Sequence, residues 1–226
     1  MIRVARALGP RVEEVVFIGG AIAPLLQTEP VLDHVRPTQD VDAVIATTRY
    51  STIDSLQDRL RARGFTHDHL HTGHVHRYVL SSADELPILF DLVPAGSHLS
   101  ASGHQWDSLA IETAIEATLE DGVVIRHASA PAFLALKWSA HEDRGGDDPF
   151  ASHDLEDVLG VIACRPTIVE EMASAPVQIR EYLAQCSSVL LAHPDLLEII
   201  QDAVRGPASP VMLVRNRLRM MASDAS

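Results

Sequence analysis

Asp40 and Asp42 stand two apart in the run Arg36-Pro-Thr-Gln-Asp-Val-Asp-Ala-Val-Ile45, and the second leads straight into apolar residues. A β-strand is expected there, and on a strand residues two apart share a face. Two like charges side by side on a half-buried strand are costly unless something positive lies between them. A divalent cation meets that demand, and a donor set made only of oxygen favours Mg2+ or Mn2+. Upstream, Val15-Val-Phe-Ile-Gly-Gly20 reads as a short apolar strand ending in a double glycine. Backbone N–H groups at such a strand-to-helix turn can hold a phosphate, although Gly19 and Gly20 also suit a turn that binds nothing. Asp91 adds a third carboxylate inside the apolar run Leu86-Pro-Ile-Leu-Phe-Asp-Leu-Val-Pro94. An isolated charge there would be expensive, so it needs a partner. A metal shared with Asp40 and Asp42 is one such partner; a buried arginine is the other. Together these runs suggest a site for metal ions and a phosphate chain.

The elements that must position these residues are legible in outline. Strands are expected at Val15 to Ile18 and Val41 to Ala46, with a short helix from Gly20 to Gln27 and a loop from Thr28 to Gln39. Ile53, Leu56 and Leu60 have helical spacing and predict a helix over Ser51 to Arg63 that stops at Gly64. Val75 to Leu80 and Leu86 to Val93 read as a strand pair, and Leu119 to Arg126 as a hairpin around Asp121-Gly122. After Pro131 the pattern becomes helical, with expected helices at Ala132 to His141, Leu155 to Ala163, Ile168 to Met172, Ile179 to Leu191, Leu196 to Val204 and Val211 to Met221. Prolines 166, 176, 194, 207 and 210 punctuate them. An α/β domain over residues 1–130 and a helical domain over 131–226 are expected.

Composition narrows the class. The chain has 226 residues, 46% of them hydrophobic and only 4% aromatic, so its core must be mainly aliphatic. A net charge of −13 makes general binding to nucleic acid unfavourable. A polynucleotide substrate would need a local basic patch, for which Arg205, Arg215, Arg217 and Arg219 are the dense candidates. Cys164 and Cys186 lack metal-type spacing and read as buried thiols of a reducing compartment. With neither a signal-peptide core nor a run long enough to span a bilayer, a soluble cytoplasmic protein without membrane association is expected.

The order apolar strand, Gly-Gly, Asp-x-Asp, then a lone Asp on a later strand resembles the polymerase-beta-type nucleotidyltransferase superfamily. The local form Arg36-x-Thr38-x-Asp40-x-Asp42 is similar to the AbiEii-like group, nucleotidyltransferases that act as toxins of toxin–antitoxin and abortive-infection systems. That group also carries a helical Lys, then an Arg and an Asp-x-x-Asp, matched by Lys137, Arg144 and Asp154-Leu-Glu-Asp157. The resemblance covers roughly residues 15–160. It implies an α+β fold: a small mixed β-sheet with flanking helices, followed by a C-terminal helical bundle. It also implies transfer of a nucleoside monophosphate from an NTP to an acceptor hydroxyl, with release of pyrophosphate. Two Mg2+ (or Mn2+) ions would be held by Asp40, Asp42 and Asp91, with Asp91 also helping to deprotonate the acceptor. Gly19, Gly20, Arg36, Thr38, Lys137, Arg144 and Asp154 would bind the nucleotide, and Lys137 would act in catalysis. The acceptor could be a tRNA or other RNA end, a protein or a small molecule of the antibiotic kind. An antitoxin-like protein is an expected partner, and a non-catalytic nucleotide-binding module is the rival of another class.

Several residues carry an ordinary alternative. Lys137 lies among Phe133, Leu134, Leu136 and Trp138, where a surface lysine can lay its stem along apolar neighbours. Asp154 suits a helix cap for Leu155 onward. His153 stands where relatives often have a Lys, which would make any phosphate contact there pH-sensitive. The run His67-Asp-His-Leu-His-Thr-Gly-His-Val-His76 holds five histidines. It reads as a solvated hairpin edge more readily than as a zinc site, since no cysteine accompanies it.

Overall fold

The structure, a computed structural model, describes residues 1–29, 31–32, 38, 40–46, 57–68, 76–82, 86–95, 104–144, 148–205 and 210–223. The chain divides into two compact units, Met1–Ile22 with Pro37–Ser129, and Ala23–Arg36 with Ala130–Ser226.

The first unit is built on a mixed sheet. Its strands are β1 (Val15–Ile18), β2 (Asp40–Ile45), β3 (Phe65–His67), β4 (Arg77–Leu80), β5 (Ile88–Pro94), β6 (Ile115–Thr118) and β7 (Val124–His127). They are ordered β3-β4-β5-β2-β1-β7-β6. β2 runs antiparallel to β1 and parallel to β5, while β5 runs antiparallel to β4. The central strands are the β-branched and aliphatic runs, and the short strands β3 and β6 close the two edges, where a few residues limit unwanted pairing. Helices α1 (Ile2–Leu8), α3 (described over residues 57–62) and α4 (His104–Glu112) belong to this unit.

One face of the sheet fixes its register. Val41, Phe90, Tyr78 and Phe65 are all at most 3% exposed. The Phe65 and Tyr78 rings lie 5.4 and 6.5 Å from that of Phe90. Val41 stands opposite Phe90, and Phe90 opposite Tyr78. A slip by one residue would turn this apolar set outward and bury the charged residues that alternate with it, so packing holds the register firmly.

The second unit is helical: α2 (Ala23–Leu26), α5 (Ala130–Arg144), α6 (His153–Cys164), α7 (Ile168–Ala173), α8 (Val177–Leu191), α9 (Leu196–Ala203) and α10 (Val211–Ser223). From Ala130 to Ala140 nearly every residue of α5 is buried, as befits a helix apolar on all sides. At the end of α6, Arg217 donates to the carbonyls of Ile162 and Ala163 at 2.6 and 2.9 Å, satisfying acceptors that the helix leaves over. Among the described residues no helix is long and apolar enough to cross a membrane.

The α+β architecture expected from the sequence is the one observed, a mixed sheet with flanking helices followed by helices. Details differ. The expected helix after Gly20 is a 3-10 turn (Gly20–Ile22) running into α2. The hairpin around Gly122 starts earlier than expected, at Ile115; β6 is a four-residue edge strand, largely exposed, whose apolar side is only Ile115 and Ala117. Helix α4 escaped sequence reading: its few buried residues, Trp106, Asp107 and Ala110, make a weak stripe. The first half of the helix expected from Ser51 lies outside the described residues.

Candidate metal and nucleotide site

The register assembles a row of side chains across four strands. Asp42 on β2 stands opposite Ile18 on β1 and Asp91 on β5, and Asp91 stands opposite Arg77 on β4. Opposed residues in neighbouring strands point to the same face, so Asp42, Asp91 and Arg77 share one side, and Asp40 joins them two residues before Asp42. Each of Asp40, Asp42 and Asp91 offers a carboxylate oxygen, and these oxygens lie within 4.8 Å of one another. All three residues are partly buried, with the Asp40 side chain the most open of the ion-paired set at 40% exposed. Hard oxygen donors at this spacing fit a divalent metal ion. Among the described residues this is the group able to hold a metal.

Two neighbours shape the row. Gly19 has φ +69°, and a side chain there would run into the Asp42 carboxylate. Glycine is thus required twice, for its left-handed backbone and for the space that Asp42 fills. Thr38 donates its hydroxyl to Asp40 Oδ1 at 2.7 Å, so it orients a carboxylate of the site. Arg36 lies outside the described residues.

Arg77 was not foreseen by name. Its guanidinium forks onto Asp91, Nε to Oδ1 at 2.8 Å and Nη2 to Oδ2 at 2.6 Å, and Nη2 stands 3.9 Å from Asp40 Oδ2. The hydrogen bonds to Asp91 raise its pKa further, with Asp91, Asp40 and Asp42 adding attraction against the cost of burial. Of the two partners expected for Asp91, the buried arginine is present, and the two carboxylates that would share a metal with Asp91 stand beside it. Only Asp91's apolar surroundings signalled the arginine, and they did not say which one.

The second unit holds its own cluster. Lys137 on α5 donates to Asp154 at 2.9 Å and approaches Asp157 to 2.7 Å, both on α6. The two aspartates are three apart on a helix and so share its face. Arg144 donates to the other oxygen of Asp154 at 2.9 Å. Burial is the largest single influence on Lys137 and favours the neutral amine, yet the attraction of Asp157 and Asp154 outweighs it and raises the pKa. Burial likewise works to raise the pKa of Asp154, and Lys137 and Arg144 together bring it below the usual carboxylate range. Lys137 is thus a buried ammonium with two carboxylate partners, not a surface lysine resting on apolar neighbours. Ser152, not Asp154, caps α6: its Oγ accepts from the Leu155 N–H at 3.2 Å. That leaves the Asp154 carboxylate for the two cations.

His141, one turn after Lys137, meets Ser152 Oγ at 2.7 Å through Nδ1. Burial lowers its pKa, outweighing the pull of Glu142 and Asp154. His153 points away, exposed, toward Glu156 at 3.4 Å. In the histidine run, His67 meets the Tyr78 ring edge-on at 5.5 Å, and residues 69–75 lie outside the described residues. Of the four C-terminal arginines considered as a basic patch, Arg217 is spent on the end of α6 and Arg205 on Asp202.

No family model matches the chain, and no curated protein matches it. Solved structures do. The chain resembles an antigenic nucleotidyltransferase-like protein from Paracoccidioides brasiliensis, with a TM-score of 0.53 and 21% identity over 92% of this chain and 93% of that one. It also resembles JHP933 from Helicobacter pylori, with a TM-score of 0.50 and 12% identity over 99% of this chain and 90% of that one. The fold is nucleotidyltransferase-like, and three aspartates able to bind a divalent metal converge on its sheet.

Proposed function

We propose that the protein is a Mg2+- or Mn2+-dependent nucleotidyltransferase that moves a nucleoside monophosphate from an NTP to an acceptor hydroxyl. The observation that carries this reading is the convergence of Asp40, Asp42 and Asp91 on one face of a nucleotidyltransferase-like sheet. Divalent ions held there would draw charge from the phosphates and stabilise the attacking and leaving oxygens. Asp40, oriented by Thr38, and Asp42, seated over Gly19, hold the cation position. The acceptor oxygen bonds to the α-phosphorus, the bond to the β-phosphate oxygen breaks, and pyrophosphate leaves. The hydroxyl proton passes toward the Asp91 carboxylate. Gly19 and Gly20 contribute backbone N–H groups to the phosphates.

Within this class the run from Arg36 to Asp42, with Lys137, Arg144 and Asp154, supports an AbiEii-like toxin acting inside the cell on an RNA end or a protein and countered by an antitoxin partner. The net charge of −13, with Arg217 and Arg205 already committed, supports a second reading in which the acceptor is a small molecule. One labelling experiment decides. The protein is incubated with each α-labelled NTP, Mg2+ and an extract containing RNA, protein and small molecules. Label on one acceptor class together with pyrophosphate release supports the transferase, and the class labelled selects between the readings. NTP binding without pyrophosphate release would leave a nucleotide-binding module instead.

A further inference from the structure

The pairing of Arg77 with Asp91 raises a conflict that the metal site must resolve. The fork engages both Asp91 oxygens, at 2.8 and 2.6 Å, and Nη2 lies on the Asp40 side of the cluster. A Mg2+ ion sits about 2.0–2.1 Å from its oxygen ligands. An ion bound to Asp91 would therefore face a guanidinium on the same carboxylate, close enough for strong like-charge repulsion in a partly dry site. Arg77 is itself only 13% exposed, so little water screens it.

Charge explains why Arg77 is there. Three carboxylates within 4.8 Å are poorly tolerated without a cation, and Arg77 stands where its fork reaches Asp91 and its flank reaches Asp40. We infer that Arg77 competes with a divalent ion for the Asp91 carboxylate, and that its guanidinium withdraws from Asp91 when an ion binds there. Arg77 is then a positioning residue: its fork holds the Asp91 carboxylate aimed into the cluster, and it sets metal affinity by competition. This inference rests on the metal-site reading above, and it concerns which cation occupies the site, not the reaction.

The test is metal binding, measured without nucleotide on the full chain. Mn2+ titrations by calorimetry compare the wild type with Arg77→Met, Arg77→Lys and Asp42→Asn. Removing the competitor is expected to tighten Mn2+ binding by about tenfold or more in Arg77→Met. Arg77→Lys, which keeps the charge but loses the fork, should fall between Arg77→Met and the wild type. Arg77→Met should also melt lower than wild type without metal and regain more than the wild type does on adding Mn2+. Mg2+ titration of the wild type, labelled at arginine side-chain nitrogen, reads the same event without mutation, because the Arg77 Nε–H signal should shift as its bond to Asp91 breaks. Wild-type Mn2+ binding that is lost in Asp42→Asn but unchanged or weakened in Arg77→Met, with a static Nε–H signal, overturns the role of Arg77 and leaves the metal site standing. No Mn2+ binding in the wild type or in either Arg77 variant overturns the metal site, and the inference with it.

Discussion

The two charged clusters answer the same problem differently. Among the described residues of the sheet, Asp40, Asp42 and Asp91 face one arginine, so three carboxylates stand against one guanidinium. On the helices, Asp154 and Asp157 face Lys137 and Arg144, so the charges balance. The sheet cluster is open at Asp40, whose side chain is 40% exposed, whereas Lys137 and Asp157 are 11% and 7% exposed. An open cluster with surplus negative charge demands a further cation. The helical cluster, buried at Lys137 and Asp157 and open at Arg144, is balanced in charge, and its members support the fold as much as any ligand. Removing an aspartate from the first relieves repulsion; removing the lysine from the second takes the ammonium away from buried Asp157 and leaves Asp154 with Arg144.

That contrast predicts opposite profiles for two substitutions. Asp42→Asn keeps shape and removes one like charge, so it should lower pyrophosphate release by about a thousandfold or more while leaving the thermal midpoint equal or higher. Wild-type turnover in that variant would remove Asp42 from the chemistry. Lys137→Met should do the reverse on stability, costing about 3–5 kcal/mol by urea unfolding because a buried ion pair loses one side. A loss under about 1 kcal/mol would show that water reaches the helical cluster and that the contrast is false.

Gly19→Ala probes the seat of Asp42. The new methyl group meets the Asp42 carboxylate, and φ +69° strains any residue other than glycine. A stability loss of about 1–2 kcal/mol is expected, together with weaker Mn2+ binding. Unchanged Mn2+ affinity would mean that Asp42 can move aside and still serve.

The smallest effects are on pH dependence, and they belong to the helical cluster. The pKa of Asp154 is lowered in the folded chain, so its contribution is present above the unfolded value and is lost as pH falls through the folded one. The pKa of Lys137 is raised, so its contribution is full below the unfolded value and fades only as pH rises through the folded one. Stability from this pair should therefore hold across neutral pH and fail in acid. His141 is lowered by burial, so the unfolded chain binds its proton more readily and stability declines as pH falls below the usual imidazole value. His141→Gln should flatten the stability profile between about pH 7 and 5, near the free imidazole range. Asp154→Asn should flatten it only at lower pH. Chemical denaturation across pH reads both, and an unaltered slope in His141→Gln would clear that residue of any part.

Much of the sheet cluster was legible because its signals are short-range. The Asp-x-Asp spacing gives a shared strand face, the apolar run after Asp42 marks burial, and a carboxylate within Leu86 to Pro94 advertises a need for company. Arg77 was not legible as that company. It opens the run Arg77-Tyr-Val-Leu80 as any strand-edge arginine might, and only the register of β4 on β5 sets it opposite Asp91. The helical cluster was half legible. Among Phe133, Leu134, Leu136 and Trp138, Lys137 reads from sequence as a surface lysine or a nucleotide contact, and the two carboxylates that hold it depend on the packing of α6 against α5. Ser152 competed with Asp154 for the cap, a choice that local sequence leaves open and the hydrogen bond to Leu155 decides.

Sequence by itself determined which charges this chain must neutralise, because the cost of a carboxylate on a buried strand is local and follows from residue type and spacing. Tertiary structure decided what neutralises them. Charge partners are found in space, through strand register and helix packing, and those depend on the apolar face beneath Asp42 and Asp91 more than on the charged residues themselves.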